Sequence, residues 1–236
     1  MLFRSSQIFE PKCFYDEIDI LVSELNRINS KFEINLNELN IGGGLGVKYT
    51  ASEYPPSIEE FGKIVIESLQ KACSKYSLEL PAIYIEPGRS VISTSGVTLY
   101  TIGSSKQVPN DRKYVAVDGG MADNPRPSMY GAKYEADIAN KMGNKEKETV
   151  TVAGRYCESG DILIENIELS KPEPGDILCV YNTGAYNYSM ASNYNRVEKP
   201  CMVLVNNSQS DMIIDRETLE DLISHDVIPD RLKNND

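Results

Sequence analysis

Three stretches of the chain concentrate groups that can do chemistry. The first, Ile83-Tyr84-Ile85-Glu86-Pro87-Gly88-Arg89-Ser90, is a short apolar run ending in a carboxylate, a rigid turn and an arginine. Such a run before Pro-Gly reads as a buried strand emptying into a loop, where α/β folds put binding groups. Glu86 and Arg89 sit at that strand's carboxyl end, either as an ion pair with each other or facing a ligand. The second, Arg155-Tyr156-Cys157-Glu158-Ser159-Gly160-Asp161, puts a thiol beside two carboxylates. Neighbouring carboxylates favour the protonated form of a thiol, which suits a proton donor better than a nucleophile. The alternative is a partly buried structural cysteine. The third, Asn124-Pro125-Arg126-Pro127-Ser128-Met129-Tyr130, is a stiff loop presenting Arg126 and Tyr130. It could grip a carboxylate bidentately with a phenol alongside, or be a surface turn.

Two further stretches are less specific. Gly42-Gly43-Gly44-Leu45-Gly46 lacks a glycine at Tyr49 for a dinucleotide fingerprint and at Val47 for a Walker A loop. What remains is a loop whose backbone N–H groups can approach an anion closely, or a plain tight turn. Asn182-Thr183-Gly184-Ala185-Tyr186-Asn187-Tyr188-Ser189-Met190 mixes polar and aromatic residues between two apolar runs, as a connecting loop or short helix would.

The elements that must position these groups change character along the chain. Phe14, Ile18, Leu21, Val22, Leu25 and Ile28 recur at helical spacing. Leu39-Asn40-Ile41 is a brief strand entering the glycine loop. Ser57 and Glu60 form a capping box for a helix that continues through Ile58, Phe61, Val65 and Leu69 to about Lys75. Helix, strand, glycine loop, helix and the Ile83 strand follow the rhythm of βαβ units and a parallel sheet. Beyond Ser90 come β-rich runs at 97–102, 114–117, 150–153, 162–169, 177–181 and 201–205, separated by turn sequences such as Asp118-Gly119-Gly120. These read as an antiparallel, all-β domain, closed by a short helix near Glu217 to Ser224.

Composition narrows the function. With 24 basic and 35 acidic residues the formal charge is −11, which repels phosphate-backbone ligands and argues against nucleic acid. Five scattered cysteines without a Cys-x-x-Cys pair, and one histidine, argue against a disulfide scaffold and a zinc site. No apolar run suits a signal peptide or a membrane span, so the expected compartment is the cytoplasm.

Together the motifs resemble diaminopimelate decarboxylases, pyridoxal-phosphate enzymes of lysine biosynthesis, over nearly the whole chain. The resemblance is carried by Ser6-Gln7-Ile8-Phe9-Glu10, Gly42-Gly43-Gly44-Leu45-Gly46, Glu86-Pro87-Gly88-Arg89-Ser90, Asp118-Gly119-Gly120-Met121, Arg126-Pro127 with Tyr130-Gly131-Ala132, Cys157-Glu158-Ser159-Gly160-Asp161 and Gly184-Ala185-Tyr186. Ornithine and arginine decarboxylases share the glycine loop and the Glu-Pro-Gly-Arg, whereas the Cys-Glu-Ser-Gly-Asp and Arg-Pro-x-x-Tyr-Gly stretches resemble the diaminopimelate branch. The resemblance implies the carboxyl-terminal half of a (βα)8 barrel over residues 1–93, a carboxyl-terminal β domain over 94–236 that completes the site, and a homodimer with shared active sites. It implies that Gly42, Gly43, Gly44 and Arg89 bind the cofactor phosphate, that Pro87 and Gly88 also contact the cofactor, and that Glu86 pairs with the pyridinium nitrogen. Arg89, Arg126, Tyr130, Glu158 and Tyr186 would bind substrate, Tyr186 touching the cofactor too. Cys157 would be the proton donor, reaching the partner subunit's site.

The sequence departs from the family in two places. No Tyr-x-x-Lys-Ala-Asn segment supplies the lysine that holds the cofactor, and Phe3 or Arg4 stands where the family has a histidine. The expectation is therefore a carboxyl-terminal portion of a longer decarboxylase, inactive by itself. Two other readings are a non-catalytic homologue acting as a binding or regulatory module and a decarboxylase of another basic amino acid.

Overall fold

The periodicity that begins at Phe14 becomes helix α1, Lys12–Phe32, with Phe14, Ile18, Val22 and Leu25 buried. In the computed structural model, which describes residues 6–10 and 12–233, helix α2 spans Ile58–Tyr76. Ser57 caps it: the hydroxyl accepts the Glu60 N–H at 3.1 Å while the Glu60 carboxylate accepts the Ser57 N–H at 2.8 Å. That reciprocal pairing satisfies orphan donors of the first turn. Phe3 and Arg4 lie outside the described residues.

Strands β1, Glu38–Asn40, and β2, Ala82–Tyr84, pair in parallel with Leu39 opposite Ile83. The succession β1–α2–β2 is one βαβ unit, the connection parallel strands require. Phe14 meets Phe61 edge to face, ring centroids 4.8 Å apart. Ile18, Val22, Leu39, Ile41, Leu45, Val65 and Leu69 complete this core. Each such side chain contributes about 1.5–3 kcal/mol on burial. The expected buried strand at Ile83 is corrected: β2 has three residues, Ala82 and Tyr84 are exposed, and Ile83 is half-buried. Among the described residues β2 is paired only with β1, and such a strand keeps an open face. One helical turn, α3, Arg89–Ile92, follows. These elements, through Val97, and Tyr181–Ala185 form one of two compact units.

The second unit holds β3, Thr98–Gln107; β4, Lys113–Val117; β5, Ala136–Ile138; β6, Lys147–Ala153; β7, Ile162–Ser170; and β8, Ile177–Val180. They form one sheet in the order β5-β8-β3-β4-β6-β7. Edge strands β5 and β7 touch, so the sheet curls nearly into a barrel around Val115, Ile138, Val150, Val152, Leu169 and Leu178. The expectation of antiparallel pairing throughout is corrected, because β4 and β6 run parallel with Val115 opposite Val152. The long connection from Val117 to Lys147 allows this: it carries helix α4, Arg126–Tyr130, and β5, and parallel neighbours need a crossover where antiparallel ones need only a turn.

A separate antiparallel hairpin pairs β9, Met202–Asn206, with β10, Gln209–Ile214. Its turn residues Asn207 and Ser208 have φ of 48° and 64°, the left-handed pair that matches strand twist in a two-residue loop. Helix α5, Leu219–Ile223, is capped by Thr218 with Asp221. No helix among the described residues is long and apolar enough to cross a membrane.

Candidate functional site

In the first unit the chemistry gathers where β1 and β2 end. Asn40, the last residue of β1, donates from Nδ2 to the Glu86 carboxylate at 2.6 Å and accepts the Gly42 N–H through Oδ1 at 2.8 Å. One amide side chain thus orients the carboxylate and starts the glycine loop. The Glu86 N–H donates to the Gly42 carbonyl at 2.6 Å, and a Cβ at Gly43 would run into the Glu86 carbonyl oxygen. Glycine is needed at 43 because two backbones touch there. Glu86 itself is exposed.

Arg89 has different partners. It is buried at the start of α3, donating to the Tyr49 hydroxyl at 2.5 Å and the Ser6 hydroxyl at 2.7 Å. Its guanidinium also lies 5.5 Å from the centre of the Tyr49 ring, a cation–π distance. The Tyr49 hydroxyl is 3.0 Å from the Ser93 hydroxyl, so a chain of hydroxyls fixes the arginine. The loop after β8 returns to this unit, with Thr183 N–H on the Gly96 carbonyl at 2.9 Å and Gly184 N–H on the Ser93 carbonyl at 3.0 Å.

In the second unit Arg126 opens α4, which ends at Gly131 with φ of 62°. The Arg126 guanidinium stands 5.8 Å from the ring centres of both Tyr130 and Tyr186. Residues 56 apart in the chain, Tyr130 and Tyr186, are therefore brought to one cation. Tyr186 adopts a φ of 62°, a left-handed conformation that costs an aromatic residue energy and is held by its surroundings.

Cys157 and Glu158 are exposed on the turn between β6 and β7. Glu158 accepts the Gly160 N–H at 3.3 Å, the Ser159 hydroxyl at 3.2 Å and, from outside the turn, the Tyr194 hydroxyl at 3.4 Å. The Gly160 N–H, then the Ser159 hydroxyl, hold its carboxyl below the usual range, so it is an anion at neutral pH. The Tyr194 phenol is pushed up by desolvation and by the facing Glu158 charge, so it stays a donor. Tyr156 packs edge to face on Tyr194, centroids 5.8 Å apart.

Of the residues the sequence singles out, the structure brings Arg126, Tyr130 and Tyr186 together, sets Cys157 and Glu158 side by side on one turn, and places Glu86 just after the end of β2 and Arg89 at the start of α3. Sequence reasoning missed Asn40, Tyr49 and Tyr194, which hold Glu86, Arg89 and Glu158. Asn40 had a signal, an Asn two residues before the first glycine of the loop, where its side chain can bond the backbone two residues on. Tyr49 and Tyr194 had none, being 40 and 36 residues from their partners.

Comparison with known proteins gives a consistent result. Residues 15–184 match the family model described as the C-terminal sheet domain of pyridoxal-dependent decarboxylase. The diaminopimelate decarboxylase of Synechocystis sp. is 49% identical over 227 residues, covering 96% of this chain and 48% of that protein. That of Bacillus subtilis is 45% identical, with 94% and 51% covered. A crystal structure of diaminopimelate decarboxylase from M. jannaschii in complex with L-lysine superposes with a TM-score of 0.90 at 34% identity, covering 97% of this chain and 51% of that one. The chain spans about half the length of the curated relatives it matches.

Proposed function

The chain belongs to the pyridoxal-dependent decarboxylases, and from that premise we propose that it supplies binding and proton-transfer groups for converting meso-diaminopimelate to lysine and carbon dioxide, in lysine biosynthesis. The observation that carries this reading is that the second unit presents both kinds of charge, Arg126 flanked by Tyr130 and Tyr186 and, separately, an anionic Glu158 held by Tyr194. Diaminopimelate has an amino-acid head at each end, so selecting it takes an arginine and a carboxylate for the distal head. Arg126 and Tyr130 take the distal carboxylate. Glu158 takes the distal ammonium.

The first unit suits pyridoxal phosphate. The backbone at Gly43 packs so tightly on the strand end that no Cβ fits, and Asn40 turns the Glu86 carboxylate to one position. In this reading Gly42, Gly43, Gly44 and Arg89 would hold the phosphate, Pro87 and Gly88 would contact the cofactor, and Glu86 would accept the ring N–H. When bound, the cofactor delocalises the electron pair left on the substrate carbon as carbon dioxide departs. The Glu86 carboxylate, oriented by Asn40, would keep the ring proton in place. Arg89 and Tyr186 position the reacting end of the substrate, and Cys157 delivers a proton from Sγ to the carbon that has lost its carboxylate. The finer expectations belong to the same reading: residues 1–93 as the second half of a (βα)8 barrel, 94–236 as the domain that completes the site, a homodimer in which Cys157 and Glu158 serve the partner subunit's site, and a cytoplasmic location.

The test is to fuse the chain behind the preceding half of the Synechocystis relative and assay lysine release. Release from meso-diaminopimelate, lost in Cys157→Ala, is the expected result. Equal or faster decarboxylation of ornithine or arginine would overturn the substrate, and no turnover of any of the three would overturn the activity.

A further inference from the structure

The turn that carries Cys157 and Glu158 rests on a carboxylate with no role so far. Asp161, only 3% exposed, closes that turn just before β7. Its Oδ2 accepts the Tyr156 N–H at 2.8 Å and its Oδ1 accepts the Met121 N–H at 2.7 Å. Tyr156 immediately precedes Cys157, and Met121 belongs to the loop after β4. A single buried side chain thus ties the two loops together. Backbone bonds close the same turn: Gly154 N–H to the Asp161 carbonyl at 2.9 Å, Asp161 N–H to the Glu158 carbonyl at 3.1 Å, and Arg155 N–H to the Gly119 carbonyl at 3.0 Å.

Two glycines make room for this carboxylate. A Cβ at Gly154 would run into both Asp161 carboxylate oxygens. One at Gly120, φ 155°, would run into them too and come within 2.9 Å of the Tyr156 ring. A second, half-buried carboxylate repeats the device, since Asp123 accepts the Gly120 N–H at 2.8 Å and the Tyr100 hydroxyl. Burial pushes both carboxyls above their usual range, opposed at Asp123 first by the Tyr100 hydroxyl and at Asp161 by the Tyr156 and Met121 N–H donors.

We infer that Asp161 is a positioning residue: it fixes the backbone of the Cys157–Glu158 turn against the 119–121 loop and so sets the direction in which both side chains face a substrate. The inference rests on the proposed function insofar as Cys157 and Glu158 are the groups that act there. Removing the carboxylate leaves the Tyr156 and Met121 N–H groups in need of an acceptor, and the turn then opens locally.

The experiment is residue-resolved amide hydrogen exchange on the 236-residue chain, comparing the native protein with Asp161→Ala and Asp161→Asn. In Asp161→Ala, exchange at Met121, Tyr156 and Glu158 should rise at least about tenfold, as the loss of a charge-assisted hydrogen bond implies. Asp161→Asn keeps the shape and one acceptor oxygen and should rescue part of that protection. Amides of β3 and β8 should be unaffected in both. A residue that served only overall stability would instead speed exchange throughout the sheet, without a graded response confined to the turn. Gly154→Ala keeps the charge but displaces the carboxylate, and should loosen the same three amides. If Asp161→Ala does not fold, the other two variants carry the comparison. Native exchange at the turn in either folded variant would overturn the proposal, as would uniform acceleration across the sheet. No substrate or cofactor enters this experiment, so its failure is distinct from a failure of lysine release.

Discussion

Glu158 shows how much of a residue's role is local and how much is not. Its place beside Cys157 was legible in the sequence, and its anionic state follows from the turn it sits in, through Gly160 and Ser159. Its orientation depends on Tyr194, a partner 36 residues away that no local pattern announces. In the fusion behind the preceding half of the Synechocystis relative, Glu158→Ala should lower kcat/KM for diaminopimelate by roughly 10- to 100-fold, the cost of one charged hydrogen bond to substrate. Ornithine, lacking the distal amino-acid head, should lose less, and the ratio of the two specificity constants measures it. An equal loss for both substrates would remove Glu158 from recognition of the distal ammonium. The same contrast applies to Arg126: the sequence reads its Pro-flanked segment as a loop, the structure corrects this to helix α4 with Pro127 in the first turn, and the contact with Tyr186 has no local signal at all.

Elements with a full amphipathic period were the most legible. α1 and α2 fall where the apolar spacing and the Ser57–Glu60 pair put them, because a helix that packs on one side must repeat its apolar residues every three or four positions. Phe14→Ala should therefore destabilise the first unit by about 3–5 kcal/mol. Chemical denaturation followed by circular dichroism would show this as a lower midpoint. Strands β5 and β10 escaped, since the three polar-flanked residues Ala136–Ile138 and an exposed hairpin partner have no strong alternation. The parallel pairing of β4 with β6 escaped too, because strand direction is set by the crossover path and not by strand composition.

The loop that carries Tyr194 is itself held by an element-scale device. Glu217 accepts the Asn193 side-chain N–H at 2.5 Å, the Lys199 N–H at 2.9 Å and the Lys199 ammonium at 3.3 Å. The Lys199 N–H is the chief cause of a carboxyl held below its usual range. The folded-state value lies below the unfolded one, so the stabilisation is complete above about pH 4.5 and is lost as pH falls through the folded-state value. Glu217→Gln should therefore cost stability at pH 7 and cost progressively less in acid. Melting curves of both proteins from pH 7 down to about pH 3 would converge if this is right. A gap independent of pH would exclude an electrostatic role for Glu217.

At the scale of the whole molecule, the motif set made the family legible because each motif is a short run whose chemistry depends on its own neighbours. How the 236-residue chain behaves by itself is a separate question. It contains no Tyr-x-x-Lys-Ala-Asn segment, and Lys48 and Lys133, though near the glycine loop and α4, do not lie in that context. Its β1–β2 pair leaves Tyr84 50% and Ile85 46% exposed, an apolar strand surface of the kind a parallel sheet normally covers. The expectation is that the chain, incubated with pyridoxal phosphate, releases no lysine from diaminopimelate, because amine exchange at the cofactor needs a lysine at the site. Borohydride reduction followed by peptide mapping should find no lysine modified to one equivalent. Fusion behind the preceding half of the Synechocystis relative should restore both the label, at a lysine outside these 236 residues, and the turnover. Stoichiometric labelling of Lys48, Lys133 or another lysine of the chain, accompanied by lysine release, would instead make these residues sufficient for the reaction.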